Sequence, residues 1–271
     1  MRAHTVKFIS AKKEFPLKKK DFPLTKNSCF LCEEKITPGN YSKEHHFPRW
    51  LLRKYGLHNK TLILPNQTDI PYNRLTIPCC SFCNQNLLRP LEDIISKAVK
   101  QGVTEIRNLD QKLLFQWLSK IFYGALYKDM FLQLERSKPS SETIISPELL
   151  ESLKMHHLFL KSLFLNIQWV DFTPWSIFIF KVNSSTQAEE FWYGDNLPTS
   201  TMAIKMGEIG IVAALQDNHI TSERLSSYYR KISKQPLLLT EFVEFFSFVA
   251  TAVAQIRGGK KLSGVPRVQF Q

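Results

Sequence analysis

The sequence predicts an α+β protein in three parts: a zinc-stabilised N-terminal domain, a helical connector and an α+β C-terminal domain. Three observations predict it. Two Cys-x-x-Cys pairs, Cys29/Cys32 and Cys80/Cys83, stand near the N-terminus. Apolar residues recur at helical spacing from about Asp110 to Arg136, and short strand-like runs follow between Trp175 and Leu215. The boundaries read as a basic lead over 1–28, the zinc-bearing domain over 29–108, the connector over 109–165 and the C-terminal domain over 166–271.

Taken in order, the lead holds Lys18 to Lys20 and two prolines, Pro16 and Pro23, and has no helical or strand period. It reads equally as an arm along a nucleic-acid backbone or as a solvated tail. After the first cysteine pair a short helix is expected from Pro48 to Tyr55, stopped by Gly56. Two strand-like runs, Thr61 to Leu64 and Arg74 to Ile77, are separated by Pro65, Asn66 and Pro71 and suit a loose hairpin. A helix is expected after Cys83, with Pro90 as a first-turn residue.

The connector begins with the helix from about Asp110 to Arg136, on which Leu114, Trp117, Leu118, Ile121, Phe122 and Ala125 share one side. Ser146-Pro147-Glu148 starts a second helix running to about Leu165. Its Met155, His156 and His157 read as surface or core residues rather than ligands. Strands are expected at Trp175–Val182, Glu190–Tyr193, Met202–Met206 and Gly210–Leu215, and Thr240 caps a last helix to about Ile256.

A chain of 271 residues with 44% hydrophobic content can bury a large core, so wholesale disorder is excluded. No apolar run reaches the roughly 20 uncharged residues of a spanning helix. The best candidate, Phe242–Ile256, carries Glu244. With no apolar run in the lead to serve as a secretory signal, the chain reads as cytoplasmic and without a membrane partner.

Charge is placed unevenly. Residues 1–100 hold 18 Lys/Arg against 8 Asp/Glu, a net of +10, and the remaining 171 residues hold 18 against 16. A field of that sign attracts polyanions, either nucleic acid or anionic lipid. All five cysteines lie in the same basic segment, and in a reducing compartment two Cys-x-x-Cys pairs read as a structural zinc site with a closed shell of four sulfurs. Cys79 competes with Cys80 for the fourth position, and the two-residue spacing to Cys83 favours Cys80.

Between the cysteine pairs stands Ser42-Lys43-Glu44-His45-His46-Phe47-Pro48-Arg49-Trp50, and Asn84 follows the last zinc cysteine. These residue types match the needs of phosphodiester hydrolysis. An imidazole titrating near working pH can deprotonate water, and a carboxylate with an amide oxygen offers hard donors for Mg2+ or Mn2+. Glu44-His45-x-x-Pro48 followed by Cys80-x-x-Cys83-Asn84 resembles the cysteine-bearing branch of the HNH (ββα-metal) endonuclease superfamily, over about Cys29 to Asp93. The resemblance implies Glu44 as first metal ligand, His45 as general base and Asn84 as second ligand, on a zinc-stabilised ββα-metal nuclease domain acting on DNA.

Three points stay open within that resemblance. His46 offers a register shifted by one, which the spacing to Pro48 disfavours; Asn73 is an uncertain counterpart of the residue that restrains the base-bearing loop; and Glu44 is longer than the commoner aspartate. Arg49 reads as a phosphate contact or an exposed helix residue, and Glu92 as a solvated helix carboxylate rather than a further acid. The competing expectations are a zinc-dependent nucleic-acid-binding module without catalysis and a subunit activated by a protein partner docked on the C-terminal domain. Family members are used in this modular way, including in defence against foreign DNA.

Overall fold

The computed structural model describes residues 7–9, 27–138, 142–145, 154–168, 173–257 and 267–268. Helices and antiparallel strands mix throughout, an α+β arrangement. Strand β1 (Lys7–Ile9) lies in the lead, where no element was expected, and pairs with β6 (Asn166–Gln168). Residues 1–6 and 10–26 of the lead, the expected helix start at Ser146-Pro147-Glu148 and most of the basic C-terminal tail lie outside the described residues.

In the cysteine-rich part, β2 (Tyr41–His45) is followed by α1 (Arg49–Lys54), β3 (Thr61–Ile63), β4 (Asp69–Pro71) and β5 (Thr76–Cys80). The expected hairpin is re-partnered. β3 pairs with β4, and β5 pairs with β2 instead, with Glu44 opposite Ile77 and His45 opposite Thr76. Burial decides it: Ile77, Cys79 and Cys80 are all inaccessible, so β5 belongs in the core and cannot serve as the arm of a surface hairpin. A π-helical turn, Cys83–Leu88, then leads into α2 (Arg89–Gln101), with Pro90 in its first turn as anticipated.

After α3 (Val103–Asn108), helix α4 (Gln111–Asp129) is capped by Asp110, whose carboxylate accepts from the Lys112 backbone N–H at 2.8 Å. It ends seven residues earlier than its apolar pattern suggested. Gln133 instead forms an isolated bridge to Thr143. Almost every residue of α4 is buried, and Gly124 lets it approach β2 and β5 closely. A methyl group there would stand 2.9 Å from His46 Nδ1 and 3.1 Å from Ile77 Cδ1. Helix α5 (Lys154–Leu160) packs beside α4.

The C-terminal part is a five-stranded antiparallel sheet in the order β11-β8-β9-β10-β7, built from β7 (Ser176–Lys181), β8 (Phe191–Asn196), β9 (Thr201–Met206), β10 (Ile209–Ala214) and β11 (Arg267–Val268). The first four match the runs read from sequence. Helix α6 (Ile220–Ile232) was not anticipated. Asp217 starts it by accepting from the Thr221 N–H at 3.0 Å and from Ser176 Oγ at 2.7 Å. The last helix, α7 (Leu239–Ile256), begins two residues before a cap at Thr240 would start it, and Glu241, not Thr240, satisfies its start by accepting from the Leu238 N–H at 2.7 Å.

Both faces of this sheet are covered. Phe178, Phe180, Trp192 and Val212 meet Phe242, Phe245 and Phe246 of α7 in one cluster. On the opposite face Ile179, Tyr193, Ile204 and Ile211 join a single buried cluster that also takes in α4 and the cysteine-rich segment from Cys29 onward. The period-two alternation of each strand sends its side chains to these two cores. By length and composition α7 is apolar enough to cross a membrane, with a mean hydropathy of 1.4. Its Phe242, Phe246, Val249 and Val253 are nonetheless buried against the sheet.

Candidate metal centre and adjoining polar cluster

Cys29, Cys32, Cys80 and Cys83 bring their sulfurs within 4.8 Å of one another, with Cys32 and Cys80 3.7 Å apart. Tetrahedral zinc with bonds of about 2.3 Å sets sulfurs roughly 3.8 Å apart, so the quartet matches that ion. Local structure explains the convergence. Glu33, at φ 65°, turns the chain so that its N–H reaches the Cys29 carbonyl at 2.9 Å. Cys80 Sγ accepts from the Cys83 N–H at 3.4 Å, and the Phe30 N–H donates to Pro78, joining the two knuckles.

Cys79 stays outside the quartet, buried with its sulfur 3.9 Å from that of Cys29, as the spacing argument expected. The crowding polarises the thiols. Hydrogen bonds, first from Cys32, hold Cys29 far below the ordinary thiol range. Proximity to Cys29 pushes Cys32 up to about 11 and Cys80 and Cys83 much further up. Four such groups ionise together only if a cation shares the space, which is the donor chemistry of a structural thiolate site.

The first knuckle is clamped from the helical side. Tyr127 donates to the Ser28 carbonyl at 2.9 Å. His157, buried and stacked 4.6 Å from Tyr123, sits 2.8 Å from the Phe30 carbonyl and 3.2 Å from Glu33, which Lys161 also reaches at 2.9 Å. The two histidines of α5 are thus core residues, one of the two readings, surface or core, that the sequence left open.

The second group of residues lies where β2, α2 and α4 meet. Asn84, in the π-helical turn, donates through Nδ2 to Ser42 Oγ at 3.0 Å, tying the helix start to β2 and leaving Oδ1 as its acceptor. Ser42 and Glu44 share one side of the strand, about 7 Å apart by the strand repeat. Glu44 is buried, and its Oε1 lies 2.5 Å from the ammonium of Lys120. Glu92, expected to be solvated, also reaches Lys120, at 3.0 Å.

Lys120 further donates to the carbonyls of His45 at 2.7 Å and His46 at 3.2 Å. Burial acts to lower this lysine, but Glu44 and Glu92 outweigh it and hold the ammonium above its usual range. Burial also raises the Glu92 carboxyl, against the pull of Lys120.

His45 is partly accessible, and burial, then the Arg49 guanidinium, hold its imidazole below the usual histidine range. His46 is wholly buried, edge-on to Phe47 at 4.3 Å and to Tyr193 at 6.1 Å. Arg49 is exposed. Asn73 is exposed in the turn Tyr72–Arg74 and takes no part in the hydrogen bonds described for this cluster. The structure therefore gathers Ser42, Glu44, Asn84, Glu92 and Lys120, with His45 at the end of the same strand, and leaves Asn73 aside.

Sequence reasoning missed Ser42 and Lys120, and it set Glu92 aside as a solvated carboxylate where the structure pairs it with Lys120. Strand alternation pointed to Ser42, and a lone lysine amid the apolar run Leu113–Leu126 pointed to Lys120. Comparison with protein-family models, curated proteins and solved structures finds no match.

Proposed function

We propose that the chain is a metal-dependent endonuclease of the HNH (ββα-metal) type, hydrolysing phosphodiester bonds of DNA, with structural zinc on Cys29, Cys32, Cys80 and Cys83. The observation that carries this reading is the β2–β5 ladder followed directly by the helical turn that carries Asn84, with Asn84 hydrogen-bonded to the strand bearing Glu44 and His45. On this reading the ββα unit supplies the carboxylate of Glu44, the imidazole of His45 at the end of the same strand and the amide oxygen of Asn84.

Glu44 and Asn84 Oδ1 would hold Mg2+ or Mn2+. Both are hard oxygen donors, and the contact with Lys120 engages one Glu44 oxygen. Such a cation would offset charge on the phosphate and on the departing 3′ oxygen. His45, kept neutral by burial and Arg49, takes the proton of the attacking water. The water oxygen bonds to phosphorus as the bond to the 3′ oxygen breaks, and that oxygen takes a proton from solvent water, leaving 5′-phosphate and 3′-hydroxyl ends. The burial of His46 favours His45 in this role, and exposed Lys43, Arg49, Arg53 and Arg74 on neighbouring elements suit backbone phosphates.

A second reading, a zinc-held nucleic-acid-binding module without catalysis, draws its support from the neutralisation of Glu44 by Lys120. One experiment separates the two. Supercoiled, linear and single-stranded DNA and RNA are incubated with the full chain in Mg2+, Mn2+ or chelator. His45→Ala is expected to abolish cleavage while zinc content and DNA affinity stay near wild type, because its role is exercised in the transition state. A wild type that binds DNA and cuts no nucleic acid with any of these metals gives the second reading its place.

A further inference from the structure

Lys120 sits mid-helix among buried neighbours and is itself wholly inaccessible. An ammonium taken out of water is costly unless fully partnered. Here four oxygens surround its three N–H donors: Glu44 and Glu92 carboxylates and the His45 and His46 carbonyls. The two carbonyls are informative, because they belong to the residues at which β2 leaves its ladder with β5. One cation thus holds both the acid at 44 and the backbone that presents the His45 imidazole.

We infer that Lys120 is the positioning residue of this site and that its charge keeps the site's affinity for a divalent cation low until a phosphate arrives. The inference rests on reading Glu44 and Asn84 as the cation's ligands. With Lys120 present, Glu44 and Glu92 leave the cluster one net negative charge; without it they leave two. Asn84 is neutral. A divalent ion therefore meets an under-charged site on the protein alone, and the phosphodiester supplies the missing negative charge, so cation and nucleic acid assemble together.

The test uses the zinc-loaded full chain and two readouts: Mn2+ affinity without nucleic acid, followed by the paramagnetic resonance of free Mn2+, and single-turnover cleavage at saturating Mn2+. Lys120→Met is expected to bind Mn2+ about tenfold more tightly, from the loss of a nearby positive charge. The same variant is expected to cleave about a hundredfold more slowly, from the loss of positioning. A lysine with only a structural role would not move the two readouts in opposite directions. Glu92→Gln is expected to weaken Mn2+ binding about tenfold, and it decides the matter if Lys120→Met does not fold.

Folded variants whose Mn2+ affinity equals that of wild type overturn the inference, even where His45→Ala shows that the nuclease reading stands. A wild type that cuts nothing overturns that reading instead, while opposite shifts of Mn2+ affinity in Lys120→Met and Glu92→Gln still uphold the control of cation affinity by charge.

Discussion

Deleting one sulfur from the quartet and one from beside it separates metal binding from packing. Cys83→Ala and Cys79→Ala remove the same atom from two buried positions, of which only Cys83 belongs to the quartet. The magnitude follows from chain connectivity. Cys32 and Cys80 are 48 residues apart. In an unfolded chain, gathering both knuckles on one ion requires closing that loop, at about 4 kcal/mol by the chain-entropy relation.

The folded chain has already joined the knuckles through its backbone and core, so its zinc affinity exceeds that of the unfolded chain by at least this amount. That difference is stability. Loss of about 4 kcal/mol takes a large part of a typical 5–15 kcal/mol total, and at roughly 2–4 °C per kcal/mol for a chain of this size it lowers Tm by about 8–16 °C.

Cys79→Ala should keep one zinc per chain and lose only about 1 kcal/mol of packing. Cys83→Ala should lose zinc together with the larger Tm shift, and a strong chelator should bring wild type down to the same level. Metal analysis by mass spectrometry and thermal melts provide the assay. Equal Tm values for the two variants, or a wild type folded normally without zinc, would refute the reasoning.

Two further outcomes are expected. Replacing exposed Lys43 and Arg49 with Gln should reduce the slope of log affinity for DNA against log salt by about 2, as measured by anisotropy titrations, because each phosphate contact releases about one counterion; an unchanged slope would place the nucleic acid elsewhere. Burial raises Asp195 to about 7, against the hydrogen bond from Tyr193 at 2.7 Å. Its folded state therefore keeps a proton that the unfolded chain releases above about pH 4, and stability falls by up to about 1.4 kcal/mol per pH unit between about pH 4 and 7. Denaturant melts of Asp195→Asn should lack that component, and parallel pH profiles for the variant and wild type would contradict it.

Cysteine spacing determined which two sulfurs each knuckle offers, Cys80 and not Cys79 beside Cys83, because Cys-x-x-Cys is a local turn, whereas bringing the two knuckles together across 48 residues was left to the folded core. The helix over Gln111–Asp129, the four central strands near 176–214 and the basic bias of the first hundred residues were legible for the same reason. Periodicity, capping and charge are properties of neighbours in sequence. Tertiary structure alone decided that β5 pairs with β2 and not with β3, since the choice depends on which face of Ile77 and Cys79 the core covers. It also decided the helix at Ile220–Ile232, whose start depends on Asp217 meeting Ser176 of a distant strand. Above all it decided the fate of Glu44. The sequence shows a carboxylate beside a histidine, whereas the folded chain brings Lys120, 76 residues away, to within 2.5 Å of it. A buried ion pair forms only when helix and strand are packed close enough to exclude water, and Gly124, one turn along α4, is what permits that approach.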